Sequence, residues 1–192
     1  EAVSLVAAID LAARYDRRII VEEGLKMREI ECAVLGNDDP SASLPGEYII
    51  KDKAKAFLDY QEKYSATGNN EFVVPAPVSA ELASKIQQMA IAAFKAIDGS
   101  GLARVDFFLR SDTGSLLINE INTMPGLTEA SGYPKMWAGT GLAFRDVLDQ
   151  LIELAEQRGL KLTAGHDDQF SHVSRRLRKL VANGYLGGAP VH

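Results

Sequence analysis

Residues 101–131, GLARVDFFLRSDTGSLLINEINTMPGLTEAS, decide the reading of this chain. Residues 103–109 and 116–121 are two apolar runs around a Ser-Asp-Thr-Gly turn, the pattern of a β-hairpin. Side chains alternate across a strand, so Arg104 and Asp106 share one face, as do Glu120 and Asn122 on the next strand. A hairpin centred on Thr113 sets Asp106 opposite Glu120 and Arg104 opposite Asn122; a bulge would shift this register. Two facing carboxylates repel. A divalent cation between them reverses the sign, and the oxygen donors of Asp106, Glu120 and Asn122 suit Mg²⁺ or Mn²⁺ rather than zinc. Arg104 beside such a site can neutralise charge on a phosphoryl group or an oxyanion. The plain alternative is a solvated polar hairpin face. Against it stands the loop that follows. Asn122-Thr-Met-Pro-Gly126 turns tightly out of the strand, Gly126 lets its backbone N–H approach a ligand closely, and Ser131 lies in a second turn of small residues.

Upstream of this stretch, Ser79 is placed to cap a helix reaching about residue 97, with Leu82, Ile86, Met89, Ala90, Ala93, Phe94 and Ile97 on one face. Helical spacing also marks residues 3–15. Residues 18–25 and 29–36 read as two strands joined as a hairpin through residues 24–28, and residues 47–50 and 72–74 as short extended segments. Residues 51–70, KDKAKAFLDYQEKYSATGNN, form a long polar loop, and loops of that length are more often functional or mobile than inert. Downstream, residues 122–142 read as a loop region punctuated by Gly and Pro. Residues 144–157 make an amphipathic helix closed by Gly159. A last, basic helix is expected near residues 170–182, most simply a packed helix with a solvated face. No internal repeat is present.

The chain has 192 residues, 46% of them hydrophobic and 24% charged, with a net charge of −5. That is globular composition and no general polyanion surface. Its one cysteine, Cys32, rules out an internal disulfide framework and reads as a small core residue. The histidines, His166, His172 and His192, all lie near the C-terminal end, which excludes a histidine-based metal or triad site in the main body. The apolar runs fall far short of the ~20 residues that cross a bilayer. A cytoplasmic setting fits these features.

GLARVDFF, LLINEINTMPGLT and SGYPK, together with VEEGLKMREIECAVLGN and YQEKYSATGNNEFVVPAP, resemble the C-terminal half of the D-alanine–D-alanine ligases, members of the ATP-grasp superfamily. The resemblance runs over about residues 1–157. It implies an α+β ATP-grasp fold with a mainly antiparallel sheet flanked by helices. Residues 1–160 would be the end of a central domain plus a C-terminal catalytic domain, and residues 161–192 a polar linker and basic helix. The implied activity is ATP- and Mg²⁺-dependent joining of two D-alanines through an acyl phosphate, for peptidoglycan precursors. By the same resemblance Asp106, Glu120 and Asn122 are the Mg²⁺ (or Mn²⁺) ligands, and Arg104 and the Gly126 amide hold the transition-state oxyanion. Lys63 and Tyr64 match a substrate-loop pair, and Ser131 shares with Lys63 the carboxylate of the second substrate. Glu22, Glu23 and Leu25 match the hinge that meets adenine, and Glu29 the ribose-binding acid. Read without the resemblance, Glu22 and Glu29 are a solvated acidic turn and Lys63-Tyr64 a surface loop.

Met27 stands where the family usually has Gly. No GxxxxGK or Gly-rich phosphate cradle is present, nor the family's first-substrate domain, so the chain reads as part of a longer enzyme. The expected partners are small molecules, D-alanine and ATP, with no nucleic acid and no membrane, and with a homodimer as an option. The alternatives are an ATP-grasp ligase for another amino acid or D-hydroxy acid, or a nucleotide-binding module without turnover.

Overall fold

The computed structural model describes residues 4–50 and 70–161, without the side chains of Ile50 and Asn70. The elements are α1 (Leu5–Ala12), β1 (Met27–Gly36), β2 (Ser41–Ala42), β3 (Gly46–Ile50), β4 (Asn70–Val73), α2 (Ala80–Ala96), β5 (Gly101–Arg110), β6 (Leu116–Asn122), α3 (Gly132–Thr140) and α4 (Phe144–Gln157). The six-stranded sheet runs β4-β3-β1-β5-β6, with β2 paired to β1. Every pairing is antiparallel, as expected. Its spine is the β1–β5 ladder, in register from Met27↔Arg110 to Gly36↔Gly101.

Alternation gives this sheet two different faces. Ile30, Cys32 and Val34 of β1 and Ala103, Val105 and Phe107 of β5 point to one side, where they form the core with Ile86, Ala90, Ala93 and Phe94 of α2. The Ser79 hydroxyl caps α2 by accepting from Leu82 N–H at 3.2 Å. Ile97, assigned to the apolar face by spacing, is instead the C-cap residue and 48% exposed, because the helix stops at Ala96. The other sheet face carries Glu29, Glu31, Arg104 and Asp106.

Two further expectations fail. Residues 18–25 form no strand. Ile20 and Val21 are 82% and 64% exposed, and among the described residues no strand lies alongside to share a ladder, which a strand requires. The hairpin through residues 24–28 therefore does not form. Residues 122–142 are not all loop, because they contain α3. Gly132 and Pro134 are poor helix residues in an interior, yet Pro is tolerated in the first turn, whose N–H groups lack partners anyway. Burial of Tyr133, Met136 and Trp137 outweighs propensity. The Tyr133 hydroxyl donates to Val34 O at 2.8 Å and ties α3 to β1.

The chain divides into two compact units, one running to Val147 and one from Leu148. In the second, the described residues are the remainder of α4 and a turn at Gly159, whose φ is 63°. The expected helix near residues 170–182 lies outside the described residues, as does most of the 51–70 loop.

Cys32 is a fully buried core residue, as expected. Burial pushes its thiol up to about 12, with the Ser43 hydrogen bond pulling the other way. An unfolded thiol titrates near about 8.5. Between those values the native state holds a proton that the unfolded chain has lost, so stability falls as pH rises through that window. In urea titrations of the full-length protein, the parent's lead over Cys32→Ala is expected to shrink above about pH 9, by up to ~1.4 kcal/mol per pH unit. A pH-independent difference would contradict this.

Candidate active site

The functional positions on the sheet are set by the period of two along three neighbouring strands. On β1, Met27, Glu29 and Glu31 follow one another on one face. Their partners on β5 are Arg110, Phe108 and Asp106, and on β6 Asp106 is opposite Glu120 and Arg104 opposite Asn122. The polar face is therefore ordered: apolar at the Met27 end, acidic in the middle, and Arg104 with Asn122 at the far end.

The Asp106–Glu120 juxtaposition has an unexpected origin. Near the turn the pairs are Leu109↔Leu116, Phe108↔Leu117 and Phe107↔Ile118, a register centred between Asp112 and Thr113. Unbroken, it would bring Asn119 to Asp106. The register shifts between Asp106 and Phe107, so Asn119 is the extra residue of a bulge and Glu120 comes opposite Asp106. Asp106 and Glu120 therefore face each other as expected, but through a bulge and not through a hairpin centred on Thr113.

At the apolar end, a cavity of about 370 Å³ is lined by Glu22, Glu23, Gly24, Leu25, Met27, Phe108, Leu117, Ile118 and Asn119. Glu22, Glu23 and Leu25, expected at an adenine hinge, thus do line a cavity. Met27, singled out in the sequence only as a departure from the family's Gly, also lines it, as do Phe108, Leu117 and Ile118, which carried no site expectation because exposure of Leu117 and Ile118 follows from β6 lying at the sheet edge. The hinge is tethered by Ser111 N–H, which donates to Lys26 O at 2.9 Å, and by Arg110, 3.9 Å from Glu23.

In the middle, carboxylate oxygens of Glu29, Glu31 and Asp106 lie within 4.8 Å of one another. Asp106 is fully buried and Glu31 is 1% exposed. Arg104 compensates them. Its Nε and Nη2 donate to both Asp106 oxygens at 2.7 and 2.6 Å, and its Nε is 3.5 Å from Glu31 Oε2. Burial opposes the charge of Arg104, but the hydrogen bond to Asp106 and the charges of Glu31, Asp106 and Glu120 outweigh it and raise its pKa. Glu31 was not anticipated. The signal was a carboxylate two positions from Glu29 in an otherwise apolar run.

At the far end, Asn122 Oδ1 accepts from Met124 N–H at 3.0 Å and closes the turn out of β6. Gly126 and Ser131 come together across the following loop. A Cβ on Gly126 would lie 2.7 Å from Ser131 Oγ, so a side chain there would displace the Ser131 hydroxyl. The Ser131 hydroxyl is also 2.8 Å from Thr128 Oγ1. Lys63 and Tyr64 lie outside the described residues.

The fit to a nucleotide with a divalent cation rests on the donor set. Asp106, Glu120 and Asn122 offer only oxygen ligands on adjacent strands, and the acidic group lies between an apolar cavity and a guanidinium. Hard cations favour such oxygens.

The sequence matches the D-ala D-ala ligase C-terminus family over residues 2–153. The D-alanine–D-alanine ligase of Ruminiclostridium cellulolyticum is 50% identical over 156 residues, which are 81% of this chain and 41% of the relative. Among solved structures, the VanG D-Ala:D-Ser ligase from Enterococcus faecalis is 40% identical, with a TM-score of 0.68 over 80% of this chain and 43% of that one. The D-alanine–D-alanine ligase from Bacillus anthracis complexed with ATP is 26% identical, with a TM-score of 0.64 over 80% of this chain and 48% of that one. The fold is accordingly that of the ATP-grasp ligases. The chain belongs to the D-ala D-ala ligase C-terminus family. It spans about two fifths of the length of the relative from Ruminiclostridium.

Proposed function

We propose that this chain supplies the C-terminal part of an ATP- and Mg²⁺-dependent ligase that joins two D-alanines for peptidoglycan precursors. The observation that carries the reading is the order along the polar face: apolar cavity, carboxylates, guanidinium, then the paired Gly126–Ser131 loop. A nucleotide laid along that face meets groups of matching chemistry. Glu22, Glu23 and Leu25 border the base, and Glu29 accepts from ribose hydroxyls. Asp106, Glu120 and Asn122 would hold Mg²⁺, which neutralises phosphate charge when bound. Arg104 and the Gly126 amide receive the oxyanion that develops as an amine attacks the acyl phosphate. Ser131, with Lys63, holds the acceptor's carboxylate, and Tyr64 favours an amino acid over a hydroxy acid. The work is positioning and electrostatic, as in phosphoryl transfer generally.

The test offers the full-length protein ATP, Mg²⁺ and D-alanine, alone or with D-serine or D-lactate. Phosphate release should require D-alanine, and D-alanyl-D-alanine should dominate the products by mass spectrometry. Predominant ester or D-alanyl-D-serine would reassign the acceptor, and ATP binding without phosphate release would leave a nucleotide-binding module.

A further inference from the structure

We infer that Glu31 is a positioning residue of this site: a buried carboxylate that orients the Arg104 guanidinium and seats the Ser131–Gly132 turn. The inference rests on the ligase reading above. Glu31 lies in the middle of β1 at 1% exposure, between core positions Ile30 and Cys32. A buried ionised carboxylate is costly, and a well-packed apolar residue would usually be cheaper, so its presence calls for a task.

Two neighbours of one oxygen, Glu31 Oε2, define that task. Oε2 is 3.5 Å from Arg104 Nε, and Asp106, the cross-strand neighbour of Glu31, takes both hydrogen bonds of the same guanidinium. Arg104 is thus placed by two carboxylates rather than one. A Cβ on Gly132 would lie 2.9 Å from that same Oε2, so the first residue of α3 packs close to the carboxylate with no side chain between them. A negative charge at the start of a helix also suits its dipole. One side chain therefore joins the group facing the oxyanion to the turn carrying Ser131. Without its charge, Arg104 is drawn wholly to Asp106, away from the reacting carbonyl, and the turn loses its seat.

The experiment uses the full-length enzyme and compares the parent with E31Q, which keeps the shape and removes the charge, and with E31D, which keeps the charge and withdraws it by one methylene. Expected for E31Q are a kcat lower by ~10–100-fold, the range found for side chains that orient active groups, a raised KM for the second D-alanine, and a KM for ATP within about twofold of the parent, a change too small to represent lost ground-state binding. Affinity for a phosphinate mimic of the tetrahedral intermediate should fall in step with kcat/KM, because the mimic reports oxyanion stabilisation. E31D should recover part of the loss.

A kcat near the parent's in a folded E31Q overturns the inference. So does a loss confined to ATP affinity and melting temperature, or a protein that folds with neither replacement, since either outcome makes Glu31 a residue of the fold. If the parent itself ligates none of the acceptors, the ligase reading fails and this inference falls with it.

Discussion

Glu120→Gln in the full-length ligase is expected to lower turnover by ~10²–10³-fold while leaving the melting temperature within a few degrees. The activity term follows from the chemistry assigned to the Asp106–Glu120 pair. Removing one of two anionic ligands weakens the neutralisation of phosphate charge, a contribution of several kcal/mol, and each ~1.4 kcal/mol is tenfold in rate. The stability term follows from position. Glu120 is exposed on the edge strand β6, and its cross-strand neighbour is another carboxylate. Its repulsion of Asp106 is offset by its attraction to Arg104, and on an exposed edge position losing the charge costs the fold little. The measurement is steady-state phosphate release across a Mg²⁺ titration, with thermal melts alongside. Full activity at ordinary Mg²⁺ would sink the metal assignment, whereas partial recovery at high Mg²⁺ would strengthen it.

Arg104→Ala should damage both activity and fold, and the pairing of the two losses is the informative part. Arg104 forms ion pairs with both Glu31 and Asp106, which are buried. Removing it takes away the guanidinium paired with two buried carboxylates that are cross-strand neighbours, and breaking a buried ion pair from one side typically costs ~3–5 kcal/mol. Loss of an oxyanion donor adds ~10²–10³-fold in kcat. Arg104→Lys should restore much of the stability, because the positive charge returns, and little of the activity, because an ammonium cannot reproduce the two-pronged contact with Asp106. Urea unfolding with and without Mg²⁺ separates the terms, since a bound cation compensates the carboxylates and should recover part of the lost stability in Arg104→Ala. Equal stability of parent and Arg104→Ala would mean that the acidic group is not held by this arginine, and unchanged kcat would remove Arg104 from the chemistry.

Local pattern determined much of this protein. The alternation in residues 103–109 and 116–121 by itself places Arg104 with Asp106 and Glu120 with Asn122 on shared faces, because strand side chains repeat every two residues whatever surrounds them. The Ser79 cap and the spacing of Ile86, Ala90, Ala93 and Phe94 likewise defined α2, since cap and amphipathic stripe are properties of a short segment. Other features needed the assembled sheet. Residues 18–25 have strand composition but no strand, because a ladder depends on a neighbour that no local pattern supplies. Helix α3 forms against the propensity of Gly132 and Pro134 because burying Tyr133, Met136 and Trp137 outweighs it. The Asn119 bulge that brings Glu120 opposite Asp106 is a matter of pairing between strands and leaves no mark in either strand alone. Glu31 shows the limit most directly. In the sequence it is one acidic residue in an apolar run, and only the antiparallel pairing of β1 with β5 sets it beside Asp106, within reach of Arg104 and beneath Gly132.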